Sequence, residues 1–461
     1  MKNSTVKMDA PSRSLRTYLA ILIVSSALYF IRVPGYSIYV FDVAFALGLT
    51  FFPQYFLRIS LNYMTTIVIF AASVLASIFY CSIDNRPFDV VQALIIILRF
   101  VQMTLCMNFL YNCVRSGRLT ERDFAVPTLL ALLIPLWGGL LIYFTVPDLA
   151  IEFGRYAGYL DNPNTMALYV VIVTPIFFTL LRFIRLPKIL SLGLITAFGL
   201  SAAYTLVVSG SNSGIVLFVI VSIIGFVRGK LAFVFLFIFS IIMLLFEAHI
   251  IEFLSVWGRD VAGSEFRGIE RTGRLITSVL SGNGINDLGS GNFRDLVRRF
   301  LFNQQFQDLG RIILGLGPGQ SKLLFYGMTG SGNVTVHNFY LGLFLEFGVL
   351  GAISFLALAF HTLHRFRWNW DAFRVSSGFL LASTATPVLY LPFYWAALFS
   401  TLALITLSAA KRRARLDSGY SRFEGHDRVP LGVAKKSTRL TRPRVPAVTP
   451  SRGPNGPTLL Y

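Results

Sequence analysis

A run of about twenty apolar residues has few ways to exist in water, and this chain contains one such run after another. A membrane-crossing helix needs roughly 20 predominantly apolar residues, because the hydrocarbon is about 30 Å thick and each helical residue rises about 1.5 Å. Twelve segments fit that description: 15–33, 38–56, 61–81, 88–111, 124–146, 165–184, 189–208, 214–227, 231–251, 336–363, 375–390 and 392–409. The eighth and eleventh are the shortest. Composition agrees, since 14% of the 461 residues are charged where soluble chains average about 25%. The expected fold is an all-α polytopic membrane protein with about twelve transmembrane helices.

Cytoplasmic connections are enriched in Lys and Arg, which turns the count of helices into a test. With the N-terminus inside, the short inner connections hold Arg58; Arg115, Arg118 and Arg122; Arg182, Arg185 and Lys188; Arg228 and Lys230; and Arg365, Arg367 and Arg374. The short outer ones hold only Arg32, Arg86 and Arg155, a bias of about four to one. Removing one helix would reverse every later connection, so the even count and both termini in the cytoplasm support each other. Lys2, Lys7, Arg13 and Arg16 precede the first segment as in a signal peptide, but no small-x-small cleavage site follows it. It reads as a retained anchor.

The expected organisation is a cytoplasmic N-terminus (1–14), helices one to nine (15–251), one long external loop (252–335), helices ten to twelve (336–410) and a basic tail (411–461). The tail carries twelve basic and three acidic residues among many Pro, Gly and Ser, a composition that buries no core and predicts disorder. Most of the net charge of +19 therefore lies on the tail and the inner connections. It is an orientation signal and a contact with an anionic leaflet, and it argues against nucleic acid as a partner.

The chain has no P-loop, dinucleotide fingerprint, HExxH or cysteine cluster, so neither metal nor cofactor is expected. Cys81, Cys106 and Cys113 fall in or beside apolar segments and form no disulfide framework. His361 and His364 read as part of an interfacial basic cluster at the inner end of the tenth helix. The outer side holds the candidates for chemistry. Arg155 is a lone cation on a face poor in positive charge, and a guanidinium can bind a diphosphate or sugar acid through paired donors. It precedes Asn162-Pro163-Asn164, where Asn164 can cap the sixth helix and capping is the structural reading of both Asn162 and Asn164. In the long loop Phe293, Leu296, Val297 and Phe300 share one helical face, with Arg294 and Arg298 one turn apart beside it. That pattern suits a helix lying at headgroup level. His337 stands at the first turn of the tenth helix, where the dipole favours a neutral imidazole able to accept a proton. Glu346, Asp42 and Arg99 lie at membrane depth and are candidates on that ground, with Asp42 and Arg99 available to pair.

Taken in order, Gly154-Arg155-Tyr156-Ala157-Gly158, Asn162-Pro163-Asn164, Leu314-Gly315-Leu316-Gly317-Pro318-Gly319, His337-Asn338-Phe339-Tyr340-Leu341 and Leu345-Glu346-Phe347-Gly348 resemble the O-antigen ligase and O-antigen polymerase superfamily of bacterial cell envelopes. The resemblance spans roughly residues 155–351. It implies a twelve-helix inner-membrane glycosyltransferase, without cofactor, that takes a glycan from an undecaprenyl diphosphate carrier at the periplasmic face. A glycan or a lipid A-type molecule is the acceptor, with a flippase and a chain-length regulator as companions. Carried over by motif, Arg155 and Arg294 bind the donor diphosphate; beside the resemblance, Arg298, Asn164 and Asn212 are candidates for substrate binding from their own chemistry. His337 with Asn338 assists the acceptor hydroxyl, and Glu346 buttresses the helix that presents His337. The sequence departs at Val208-Ser209-Gly210-Ser211-Asn212, where Asn212 stands in the place of a family arginine and brings no charge.

A ligase and a polymerase share this architecture. Asn212 tips the expectation toward a polymerase of exopolysaccharide or O-antigen, because it leaves the ligase-like set incomplete. A secondary transporter is the alternative, although neither repeat symmetry nor broken helices are evident in the sequence.

Overall fold

The computed structural model describes residues 10–28, 38–84, 90–152, 155–158, 160, 162–184, 186–226, 299–320, 338–366, 369–384 and 392–424. The chain divides into two compact units, Met1–Lys411 and Arg412–Tyr461, and the first carries the architecture. Its described part is almost entirely helical. In chain order the helices are α1 (Ala10–Ala27), α2 (Val40–Phe51), α3 (Pro53–Phe56), α4 (Leu61–Ile83), α5 (Val90–Arg115), α6 (Glu121–Leu133), α7 (Gly139–Thr145), α8 (Pro147–Ala150), α9 (Pro163–Leu181), α10 (Lys188–Ser209), α11 (Asn212–Phe226), α12 (Leu309–Leu314), α13 (Phe339–Arg365), α14 (Trp370–Ala382) and α15 (Pro392–Glu424).

Seven of the described helices are long and apolar enough to cross a membrane: Tyr63–Ile83, Ala93–Arg115, Glu121–Thr145, Pro163–Leu181, Lys188–Ser209, Phe339–Ala357 and Tyr394–Arg413. The chain is a helical membrane protein. The expected ninth span, 231–251, lies outside the described residues, as do most of the long loop and the tail beyond 424. One small departure from an all-helical chain carries a candidate residue. Ile151–Glu152 and Arg155–Tyr156 pair as a two-stranded antiparallel hairpin, with Glu152 opposite Arg155.

Polar contacts sort the helix ends into two groups. At one end Arg16 pairs with Asp123 at 2.7 Å, and Arg365 reaches the Asn108 amide oxygen at 2.9 Å. Arg182 and Arg374 meet Asp371 at that end, and Thr406 donates to the Phe366 carbonyl. At the other, the Tyr80 hydroxyl donates to Asp308 at 2.7 Å, Tyr394 to the Thr165 carbonyl at 2.8 Å, and the Phe339 N–H to the Ser383 carbonyl at 2.8 Å. Arg365 also lies over the Tyr63 ring near the start of α4, so α4, α13, α14 and α15 each have residues in both groups and alternate in direction through the bundle.

Several spans are interrupted. The expected second span splits at Phe52, where Pro53 starts α3. The expected fifth span passes through a π-helical turn at Ile134–Gly138, and Pro135 there has no N–H to offer the preceding turn. The Tyr169 hydroxyl of α9 donates instead to the Leu132 carbonyl at 2.7 Å and lies 3.3 Å from that of Ala131. Within α9, Pro175 leaves the Val171 carbonyl without its helical donor. Gly378 of α14 packs there so closely that a Cβ would sit 2.9 Å from that oxygen. Helix α13, expected to be continuous, breaks at Gly348 (φ 63°, ψ −161°), a backbone conformation essentially reserved for glycine.

Candidate functional site

Arg155 leaves the hairpin toward the end of α10. That helix stops at Gly210 in the left-handed conformation (φ 55°), leaving its last carbonyls without helical donors. The Arg155 guanidinium takes two of them, with Nε 2.7 Å from the Ser209 carbonyl and Nη2 3.0 Å from that of Gly210. Nη2 also lies 3.2 Å from the amide oxygen of Asn164. A cation at the negative end of a helix dipole is electrostatically favoured, and here it also joins the end of α10 to the start of α9.

The cap of α9 is Asn162, whose side chain accepts from the N–H groups of Asn164 at 2.8 Å and Thr165 at 3.4 Å. Asn164, expected in that role, holds Arg155 instead. Two residues past Gly210 the chain starts α11 at Asn212. The Ser211 hydroxyl accepts from the Gly214 N–H at 3.3 Å, which caps that helix. A Cβ on Gly214 would come within 2.6 Å of the Ala167 Cβ, so the first turns of α9 and α11 lie against each other. The structure thus gathers Arg155, Asn164 and the start of α11 at Asn212 into one cluster, with the positive ends of two helix dipoles beside the guanidinium. Tyr156 follows Arg155 into a fully buried position, and burial pushes its phenol up, keeping it neutral.

A second cluster ties residues 299–320 to α4 and α13. Asp308 caps α12, accepting from the Arg311 N–H at 2.9 Å. Its carboxylate also takes the Tyr80 hydroxyl and pairs with Arg311 Nε at 2.9 Å, while Arg311 Nη2 lies 3.3 Å from Asp84. Burial opposes ionisation of Asp308. The Tyr80 hydroxyl, the Arg311 and Gly310 N–H groups and the Arg311 charge outweigh it and hold the carboxyl below its ordinary range.

Beyond α12 the chain turns through Gly315, Gly317 and Gly319, all at positive φ, and enters the break in α13. The non-helical Gly348 leaves the Leu345 and Glu346 carbonyls without helical donors. The Leu316 N–H donates to Leu345 at 2.7 Å and the Gly317 N–H to Glu346 at 3.1 Å. Ser77 of α4 adds a bond to the Glu346 carbonyl at 3.0 Å, and Cys81 donates to the Leu316 carbonyl at 2.9 Å. A Cβ on Gly315 or Gly348 would collide with backbone of the opposite segment, so both glycines are sterically required. Glu346 thereby anchors the break through its carbonyl.

Asn338 caps the first half of α13, its amide oxygen accepting from the Leu341 N–H at 2.9 Å. His337, Arg294 and Arg298 lie outside the described residues. The described part of the amphipathic stretch, from Arg299, is helical over 299–305, with Leu301 buried and Phe302 stacked near Phe306 and Phe344. Phe293, Leu296 and Val297, expected to lie at headgroup level, are outside the described residues.

Asp42 and Arg99 do pair. Arg99 grips both carboxylate oxygens, at 3.0 Å for Nη2 to Oδ2, while Gln102 donates to Oδ1 at 2.8 Å and the Tyr39 N–H to Oδ2 at 2.8 Å. With four donors on its carboxylate, this partly buried pair is an internal lock between α2 and α5.

Sequence reasoning missed Tyr80, Asp84, Asp308 and Arg311. The signal available was Asp308 just before the short apolar run Ile312-Ile313-Leu314, an N-cap pattern. Nothing local in the sequence tells which helix receives it. No protein-family model matches the chain, and no curated protein matches it.

Proposed function

We propose that the chain is a twelve-helix glycosyltransferase of a bacterial inner membrane, with both termini cytoplasmic and the long loop 252–335 in the periplasm. It transfers a glycan from an undecaprenyl diphosphate carrier to a sugar hydroxyl, in polymerisation or ligation of O-antigen or exopolysaccharide. One observation carries the reading: the two motif-bearing regions open at the same end of the bundle. Helix α14 links them, with Arg374 donating to Thr179 of α9 at 3.2 Å, Gly378 against Val171, and the Ser383 carbonyl holding the Phe339 N–H. Arg58, Arg182, Arg365 and Arg374 lie at the opposite end, which supports the proposed orientation.

In the proposed reaction the acceptor oxygen bonds to the anomeric carbon as the bond from that carbon to the diphosphate oxygen breaks. The diphosphate departs with the electron pair and His337 receives the hydroxyl proton. The leaving group is already activated, so cations that steady its charge are what the protein must supply. Arg294 and Arg298 take that role, and Arg155 organises the start of α9. Purified protein given a lipid-linked repeat unit and acceptor should form the glycosidic product. His337→Ala and Arg294→Ala, folded as judged by size-exclusion profile, should lose it by about 10²-fold or more. Full product from both variants sinks the assignment.

The broken α13 favours one other reading, a secondary transporter, because such breaks often bind ions. The carbonyls freed here are held by Leu316, Gly317 and Ser77, which argues for a structural joint. Solute uptake by reconstituted vesicles without glycan transfer would reverse that preference.

A further inference from the structure

The end of the bundle opposite Arg155 carries a cluster of exposed arginines. Between α3 and α4 the chain leaves helical conformation at 57–60, and two buried amides hold this link. Asn108 Nδ2 lies 2.7 Å from the Phe56 carbonyl and 3.1 Å from that of Arg58; Asn112 Nδ2 lies 2.8 Å from the Tyr55 carbonyl and 3.3 Å from that of Arg58. Asn108 is itself fixed by Arg365, whose guanidinium lies over the Tyr63 ring at 3.9 Å. The backbone at Arg58 is therefore rigid, while its side chain is exposed. Arg115 lies three residues beyond Asn112, and Arg118 follows on the turn after α5; both are exposed. Among the described residues none of these three guanidiniums has a side-chain partner, and nearby Asp123 is taken by Arg16 at 2.7 Å.

What flanks the cluster identifies its partner. Leu57 (60% exposed) and Leu61 (81%) stand on either side of Arg58. From Leu61 an exposed apolar row runs down α4 through Met64, Val68, Leu75 and Phe79, at helical spacing. Exposed guanidiniums above an exposed apolar row match a molecule with an anionic head and acyl chains. A soluble acidic protein would satisfy the arginines but make no contact with the row, which lies at membrane depth.

We propose that Arg58, Arg115 and Arg118 form a binding site for the headgroup of an anionic phospholipid, with an acyl chain along the Leu61-Met64-Val68 face of α4. The full chain, extracted in mild detergent, is offered phosphatidylglycerol or phosphatidylcholine of identical chains, and retained adducts are counted by native mass spectrometry. Wild type should prefer phosphatidylglycerol by about tenfold or more, and the preference should shrink as salt rises. Replacing the three arginines by Gln should abolish the preference, and replacing them by Lys should keep most of it, which separates lost charge from lost fold. Leu61→Ser with Met64→Ser should weaken retention while leaving the preference. Equal binding of the two lipids by wild type, or an intact preference in the Gln variant, overturns the proposal. So does equal competition by glycerol phosphate without acyl chains, which marks a site for free anions. Preferential capture of an acidic peptide over the lipid would assign the cluster to a protein partner instead.

Discussion

Helices α9 and α10 follow one another in the chain with nearly equal hydropathy, yet 78% of the first span lies inside the bundle and only 22% of the second. In water that contrast would need a difference in apolarity. In a bilayer it does not, because lipid tails are as apolar as leucine and give helices no hydrophobic reason to associate. What selects α9 for the centre is closeness and internal hydrogen bonding. Gly214 of α11 lets its helix pack on the Ala167 methyl group, and Gly378 of α14 lets its helix approach the α9 backbone at Val171. Tyr169 supplies a hydroxyl to the broken turn before α7, and Asn162 with Arg155 secures its first turn. Helix α10 also has glycines, but a Cβ on Gly193 or Gly199 would meet nothing within 4 Å. Glycine marks a contact only where a neighbour uses the space.

The contrast breaks most visibly by filling those spaces. Gly214→Leu and Gly378→Leu should each cost about 3 kcal/mol or more, since the atoms they meet belong to a helix gripped on several sides. Little monodisperse protein should survive extraction. Gly199→Leu, the same change on α10, should elute as wild type does. Equal profiles for the Gly214 and Gly199 variants would mean that α9 is no more central than α10.

Arg155 is where the two helices are stitched together. Arg155→Ala removes three bonds to Ser209, Gly210 and Asn164 and leaves the end of α10 without its cation, a loss of about 2–3 kcal/mol. Hydrogen exchange should speed up in residues 206–212 and in the first turn of α9, while the middle of α9 stays protected. Arg155→Lys should fall between, because an ammonium keeps the charge but cannot span three acceptors in a planar fork. Acceleration confined to the hairpin would show that Arg155 does not join the helices.

Seven of the expected spans are legible because a membrane helix announces itself by length. Burial was not legible, because the same apolar residues serve lipid and protein alike. The Asp42 and Arg99 pair was foreseeable, since two opposite charges at membrane depth have few other solutions. Asn162 and Asn164 are both legible as candidate caps, and the sequence does not tell which one caps, since both lie at the same first turn. The break at Gly348 was hidden because its compensation comes from Leu316 and Gly317, about thirty residues earlier in the chain, and no local pattern links the two.

A smaller test bears on the π-helical turn. Tyr169→Phe keeps the ring and removes the hydroxyl that serves the Leu132 carbonyl, which should cost about 1–2 kcal/mol and lower the thermal midpoint. Tyr204→Phe on α10, a partly exposed ring, is the matched control and should change it less.

The smallest effect has the opposite sign. Gly193→Ala and Gly199→Ala place a methyl group where each glycine faces open space. In a helix alanine is favoured over glycine by about 0.5–1 kcal/mol, because glycine loses more backbone freedom on ordering. Hydrocarbon accepts the added methyl without penalty, so the double variant should unfold at a slightly higher temperature than wild type. A substitution that lengthens a side chain on a packed face does the reverse, as Gly214→Leu illustrates. If the alanine pair destabilises the protein, the methyls have met a surface that the monomer lacks. The exposed face of α10 would then be a helix contact in the assembled membrane, and its apparent difference from α9 would be one of partner rather than of burial.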